Sequence, residues 1–213
     1  MTQGLLAVVF DYSTAHADEF HDWYDLEHLP ERQAIAGFGA CERWVCDDPP
    51  QIAVATYNLD SIETLRGEAY TSVAHENSSV WTKRVTAMCN LMLRFEGVQL
   101  TPGEAAAPTS AGGLLLNAMN VSAEAEDDFN SWYDEEHVPA LAAVPGTLSA
   151  RRYRSAEVGG GTHKYVAIYY LESPDVTRTE AWKRAVETPW TSRVQPHFQD
   201  RLRVLTRRYT RDA

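Results

Sequence analysis

One eight-residue string occurs twice in this chain, and it constrains the possible folds more than any other feature. Trp23-Tyr24-Asp25-Leu26-Glu27-His28-Leu29-Pro30 returns 109 residues later as Trp132-Tyr133-Asp134-Glu135-Glu136-His137-Val138-Pro139. Trp, Tyr, Asp, Glu, His and Pro all come back in place. Self-similarity at a fixed offset marks a duplicated structural unit that shares its core with its copy.

The match continues outside the string. Leu5-Leu6 aligns with Leu114-Leu115, Phe20 with Phe129, Gly37 with Gly146, and Arg43-Trp44 with Arg152-Tyr153. After a loop that differs by three residues, Val54–Ser61 meets Val166–Ser173, and the offset of 109 is restored at Trp81-Thr82 and Trp190-Thr191.

Each copy has the same periodicity. Leu5–Tyr12 is a short apolar run, read as a strand. Asp18–Ile35 carries helical spacing. Phe38–Cys46 and Gln51–Leu59 are strands joined by a turn at Asp47-Asp48-Pro49-Pro50. Ser61 caps a second helix that runs, with breaks, to about Met88, and Leu91–Leu100 is a last strand. The order β-α-β-β-α-β is the ferredoxin-like pattern, repeated between Gly113 and Arg211. The strands are apolar on both faces, which calls for a sheet covered on both sides. The expected fold class is therefore α+β: two ferredoxin-like repeats, residues 1–100 and 113–213, packed sheet to sheet as an α+β barrel within one chain. Residues 101–112, rich in Pro, Ala, Gly, Thr and Ser, form the linker.

Net charge is −11, from 19 basic and 30 acidic residues, which argues against a nucleic-acid partner. The basic stretch Arg201–Arg211 alternates with apolar residues and reads as a strand with a solvated or paired face. Three cysteines in no metal-like spacing point to free thiols in a reducing compartment. No leader-like segment opens the chain, and no run approaches the ~20 apolar residues that span a bilayer. The expectation is a cytoplasmic protein with no membrane partner and no metal.

Comparing the copies sorts the helix positions. Asp22 becomes Ser131 and Leu26 becomes Glu135, so those positions face water. Phe20, Trp23, Tyr24, Glu27 and His28 keep their identities at Phe129, Trp132, Tyr133, Glu136 and His137, and their spacing makes one helical stripe. A carboxylate and an imidazole thus lie on a core-facing stripe, where an unpartnered polar group costs about 1–3 kcal/mol. In the catalytic reading His28 and His137 move a proton. Asp25 and Asp134 orient them, Glu27 and Glu136 tune them, and Trp23, Tyr24, Trp132 and Tyr133 bind substrate. In the structural reading the histidines cap helix carbonyls and the aromatics are core. Both readings stand. Arg43 and Arg152 either hold an anionic substrate or form cross-strand ion pairs. Tyr57 and Tyr169 are core or pocket lining, and Trp81 and Trp190 are core. His16, His21, His75, His163 and His197 lack counterparts and read as surface or loop residues. The glycine run Val158–Thr162 is a hairpin loop and not a phosphate loop.

These residues resemble the dimeric α+β-barrel superfamily, in particular EthD-like proteins, which carry a Trp-Tyr-x-x-Glu-His-x-Pro helix followed by Pro-Gly and an Arg-aromatic strand. The second copy matches best, with Val144-Pro145-Gly146 and Arg151-Arg152-Tyr153; the first has Ala36-Gly37 instead of Pro-Gly. The resemblance implies a pocket between sheet and helices for small hydrophobic molecules. Relatives include cofactor-free monooxygenases, lactone isomerases, polyketide cyclases, decarboxylases and haem enzymes. The leading expectation is a cofactor-independent isomerase or lyase acting by histidine-mediated proton transfer on a small aromatic, lactone or polyketide-like substrate. The alternative is a non-catalytic hydrophobic-ligand-binding or oxygenase-accessory protein. Haem binding is a lesser reading, and a homodimer stays open.

Overall fold

The apolar run Leu5-Leu6-Ala7-Val8-Val9-Phe10 forms most of strand β1 (Gly4–Asp11) in a computed structural model that describes residues 3–46, 48–156 and 162–211. Asp47 of the predicted turn and Val158–Gly161 of the predicted hairpin loop lie outside the described residues. The chain divides into two compact units, Met1–Gln99 with Tyr209–Ala213, and Leu100–Arg208.

In the first unit β1 is followed by α1 (Ala17–Trp23), a π turn (Tyr24–His28), α2 (Leu29–Gln33), β2 (Phe38–Cys46), β3 (Ile52–Leu59), α3 (Glu68–Thr71), α4 (Val80–Ala87) and β4 (Asn90–Gln99). β1 pairs antiparallel with both β3 and β4, and β2 pairs antiparallel with β3, so the sheet order is β2-β3-β1-β4. The second unit repeats the series: β5 (Gly113–Val121), α5 (Glu126–Trp132), a π turn (Tyr133–His137), α6 (Val138–Ala142), β6 (Thr147–Ser155), β7 (Tyr165–Leu171), α7 (Glu180–Val186), α8 (Pro189–Val194) and β8 (Phe198–Arg208). Its order is β6-β7-β5-β8, again antiparallel. Among the described residues the fold is thus mixed α+β with eight antiparallel strands, four to a unit.

Both faces of each sheet are buried. On the helix side Leu6, Ala55 and Tyr57 pack with Phe20, Trp23 and Tyr24, and Leu115, Ala167 and Tyr169 pack with Phe129, Trp132 and Tyr133. On the other side Leu5, Ala7, Val9, Trp44 and Val54 of the first unit, and Leu114, Leu116, Val166 and Ile168 of the second, are all at most 1% exposed. This double burial is why β1 and β5 lack a polar–apolar alternation.

The helix carrying the repeated string does not stop at the histidine. The Leu29 N–H donates to the Tyr24 carbonyl five residues back, and Val138 does the same to Tyr133. Pro30 and Pro139 sit at the start of the next α segment. A proline there has no N–H to give and its ring crowds the carbonyl four residues earlier. The wider π turn makes room for it and lets the helix continue. The expected role of His28 and His137 as caps on terminal carbonyls is therefore corrected. Leu26, at 67% exposure, does face water as its replacement by Glu135 predicts.

The second helix of the first unit is broken as expected: a 3-10 turn at Ile62–Arg66 is capped by the Ser61 hydroxyl on the Glu63 N–H, and α4 is capped separately by Ser79. The turn into β2 needs Gly37 (φ +91°), as the turn into β6 needs Gly146 (φ +87°). The replacement of Pro145 by Ala36 leaves that turn intact. The predicted linker is tied to the second unit: Leu100 N–H donates to the Arg152 carbonyl at 2.8 Å and Arg152 N–H to Thr101 Oγ1 at 2.9 Å. At the other end, Tyr209 N–H donates to the Arg43 carbonyl at 3.0 Å, so the last residues belong to the first unit.

Candidate functional site

The repeated string separates into three jobs, done identically in the two units. Trp and Glu join the helices. Trp23 Nε1 donates to Thr82 Oγ1 at 2.9 Å and Trp132 Nε1 to Thr191 Oγ1 at 3.2 Å. Glu27 accepts from the Ser79 hydroxyl at 2.5 Å and from Thr82 at 3.1 Å, while Glu136 accepts from Thr188 at 2.6 Å. Ser79 and Thr188 are the N-caps of α4 and α8. Each glutamate therefore fixes a capping hydroxyl at a helix N-terminus, where negative charge is favoured. The expectation that Glu27 and Glu136 tune a histidine is corrected: their hydrogen bonds go to the neighbouring helix.

Asp and Arg join the helix to the sheet. Arg43 meets Asp25 at 2.6 Å and His21 Nδ1 at 2.7 Å, and lies over the Tyr24 and Tyr209 rings at 4.3 and 4.0 Å. Arg152, only 1% exposed, meets Asp134 at 3.1 Å, donates to Asn130 Oδ1, and lies over Tyr133 and Tyr165 at 4.5 and 4.8 Å. Both guanidinium groups are buried and spent on partners in the helix, with Arg152 Nε alone unpaired, and the cross-strand ion pair expected for Arg43 and Arg152 is not found. The pairs run from strand to helix. Asp25 and Asp134 are turned to these arginines and not to the histidines, which corrects their orienting role. Asp25 is further engaged by Tyr209 Oη and Arg211, each at 3.2 Å.

The imidazole remains. Hydrogen bonding over five residues brings it above the tryptophan: ring centroids are 4.6 Å apart for Trp23–His28 and 4.1 Å for Trp132–His137. Tyr24 and Tyr57 meet the His28 ring edge-on, as Tyr133 and Tyr169 meet His137. Nδ1 of each histidine is enclosed without a hydrogen-bond partner. Burial, helped by Arg32 and Arg43 at His28 and by Arg201 at His137, pushes both pKa values down to about 3. The rings are neutral near pH 7. Burial likewise raises the hydroxyl pKa of Tyr24 and Tyr57, takes Tyr133 to about 12 and raises Tyr169, so all four stay protonated.

Each unit holds a pocket on the helix side of its sheet with this histidine in the wall. In the first unit about 140 Å³ is bounded by Val8, Phe10, His28, Tyr57, Tyr70 and Arg94 among others. In the second about 310 Å³ is bounded by residues including Leu115, Asn117, His137, Leu141, Trp182 and Arg203. Trp23 and Tyr24 reach the first pocket, whereas Trp132 and Tyr133 lie behind His137 and do not line the second.

Sequence reasoning missed Asn117, Trp182, Lys183, Arg201 and Arg203. Asn117 was findable: it breaks the apolar run of β5 at the position where the first copy has Val8. Other expectations need adjustment. His163 is buried, with Nε2 2.7 Å from the Asp200 carbonyl oxygen, and His75 lines the first pocket. Trp81 and Trp190 are half-buried and donate to Glu19 and Asp128 at 2.9 and 3.0 Å. Haem fits poorly. A cavity of about 310 Å³ is at the lower end for drug-sized ligands, roughly 300–1,000 Å³, and both candidate axial imidazoles are packed against tryptophan, with centroids 4.6 and 4.1 Å apart. Among the described residues no cluster of three or more side chains is placed to hold a metal, and no helix is long and apolar enough to cross a membrane.

A family model described as "Domain of unknown function (DUF4286)" matches residues 115–209, under half of the chain. No curated protein matches the sequence. Among solved structures, a candidate monooxygenase from Fusobacterium nucleatum subsp. nucleatum is similar at TM-score 0.62 and 9% identity, covering 97% of this chain and 92% of its own. A chlorite dismutase variant from Candidatus Nitrospira defluvii is similar at TM-score 0.62 and 11% identity, covering 98% and 92%. An anthrone oxidase-like protein is similar at TM-score 0.62 and 11% identity, covering 99% and 92%. At these identities the likeness is one of fold.

Proposed function

We propose that the protein binds a small, largely apolar molecule carrying a carbonyl or hydroxyl oxygen in the pocket of the second unit, with His137 meeting that oxygen as a neutral imidazole. One observation carries this reading. The histidine is the one ionisable group of the string that lines the cavity in both units, and its Nδ1 has no protein partner, while Asp, Glu and Arg are consumed by helix and sheet contacts. Apolar walls with a few convergent polar groups are the usual make-up of a small-molecule site. Ligand-observed NMR with a panel of aromatic ketones, phenols and lactones tests it. His137→Phe should weaken the bound members at least tenfold and Leu141→Trp should abolish binding. Unchanged binding of every member by His137→Phe would sink the reading.

A second reading is the cofactor-independent isomerase or lyase. The specific feature in its favour is Tyr57, protonated and in the wall of the first pocket beside His28. Such a donor is suited to an enolate oxygen. The proton leaving the adjacent carbon would go to His28, whose low basicity rises once an enolate charge forms beside it. Deuterium exchange at the α-carbon of panel ketones and lactones, unchanged in the His28→Ala plus His137→Ala variant, would exclude this role. The oxidative names among the structural relatives keep an oxygenase-type reaction in view, by fold analogy only.

We infer also that the units are duplicated ferredoxin-like repeats of EthD-like ancestry. The matched strand orders, the sequence repeat and the burial of both sheet faces support this.

A further inference from the structure

We infer that the pocket of the second unit selects an anion: a small molecule with an apolar body and a carboxylate. This rests on the proposal above that the pocket is a binding site, and it names the class of ligand.

The two pockets correspond position by position. β1 and β4 are in register at Leu6↔Glu96 and Val8↔Arg94; β5 and β8 are in register at Leu115↔Leu205 and Asn117↔Arg203. Arg94 and Arg203 are therefore equivalent, and so are Glu96 and Leu205. In the first unit Glu96 is 5% exposed and accepts from both Arg94 and Arg66. Arg94 also reaches Tyr70 Oη at 3.1 Å. That pocket's cationic side is internally neutralised.

In the second unit the carboxylate is replaced by Leu205. Arg203 keeps its place without it. Arg201 and Lys183 join it on the pocket wall, at positions where the first copy has Met92 and Thr71. Among the described residues, no side-chain hydrogen bond or ion pair of these three cations is found. Arg178, the counterpart of Arg66, also stands in the pocket wall but is paired with Asp175 at 2.8 Å. Glu187 is the single carboxylate in the wall. Partial burial and the neighbouring Arg201 lower the pKa of Arg203. Three cations, their ends open to water, thus share one wall of the pocket in a chain whose net charge is −11. Leu115, Leu141, Trp182 and Val186 supply the apolar wall opposite. Buried Asn117 Oδ1, which has no partner, offers an acceptor for a hydroxyl on the same ligand. A cationic side facing an apolar one is matched by an amphiphilic carboxylate and not by a neutral hydrocarbon.

Calorimetric titration of the whole chain with benzoate, its neutral isostere benzamide and inorganic phosphate tests this. Benzoate should bind at least tenfold more tightly than benzamide, and added salt should narrow the gap. Leu205→Glu, which restores the first unit's arrangement, and the exposed Arg203→Gln should each remove most of the difference, while Lys83→Gln in the first unit should not. Equal binding of benzoate and benzamide, both lost in Leu141→Trp, would overturn anion selection and leave the binding site standing. Phosphate binding as tightly as benzoate would overturn the apolar part of the ligand. Failure of both aromatic probes to bind would overturn this inference and count against the pocket itself.

Discussion

At His28 and His137 the imidazole is buried where a charge is not welcome, and this has a measurable consequence for stability. The folded pKa of each lies near 3, below the ordinary value of 6.5. The unfolded chain therefore takes up protons between these limits while the folded chain does not. The stabilisation is complete above pH 6.5 and is lost as pH falls toward 3, at about 1.4 kcal/mol per pH unit for each histidine. Denaturant unfolding between pH 5 and 6.5, above the range where most carboxylates titrate, should show this slope, and the His28→Gln plus His137→Gln variant should flatten it. An unchanged slope would mean that the rings are charged in the folded protein. Arg152 makes the converse case. It is enclosed by Phe129, Tyr133 and Tyr165 and joined to Asp134 and Asn130. Asp134 is largely exposed, so water screens its half of the pair. Arg152→Met should lower the melting temperature and leave ligand affinity in the second pocket unaltered; a selective loss of affinity would support the substrate-binding role.

At the scale of the element, the Trp–Glu pair is a clamp between two helices about 50 residues apart in sequence. Glu136 accepts from the Thr188 hydroxyl, Thr188 accepts from the Thr191 N–H, and Thr191 accepts from Trp132. Loss of an N-cap side chain costs about 0.5–2 kcal/mol. Thr188→Ala should cost about that much, as Ser79→Ala should in the first unit. Glu136→Gln, which can still accept a hydrogen bond, should cost less, with guanidinium unfolding as the measurement. If Glu136→Gln were the more damaging of the two in the second unit, the carboxylate would have a role beyond holding the cap. The strands, the first helix and the interrupted second helix were legible from periodicity, because burial on one or two faces leaves its mark at a spacing of two or three to four residues. The π turn was not. Trp-Tyr-x-x-x-His-x-Pro reads as an α helix about to end, and only the proline hints that the helix must widen to continue.

Across the whole molecule, the burial of both faces of each sheet makes a direct prediction. Leu5, Ala7, Val9 and Trp44 are buried on the face away from the helices. A fragment of residues 1–100 made alone would expose them and should self-associate or bind a hydrophobic dye, and residues 113–213 likewise. Two monomeric, dye-silent fragments would mean that each unit covers this face by itself. The sequence alone determined the repeated string and the strand and helix order, since a repeat and its period are properties of the chain in one dimension. Tertiary structure decided what each polar residue of the string does. Glu27 finds Ser79, Arg43 finds Asp25 and Arg203 loses the carboxylate that Arg94 keeps, because partners are chosen by which strands and helices become neighbours. Hydrogen bonds and charge pairs act over a few ångströms of space, and distance along the chain does not specify them.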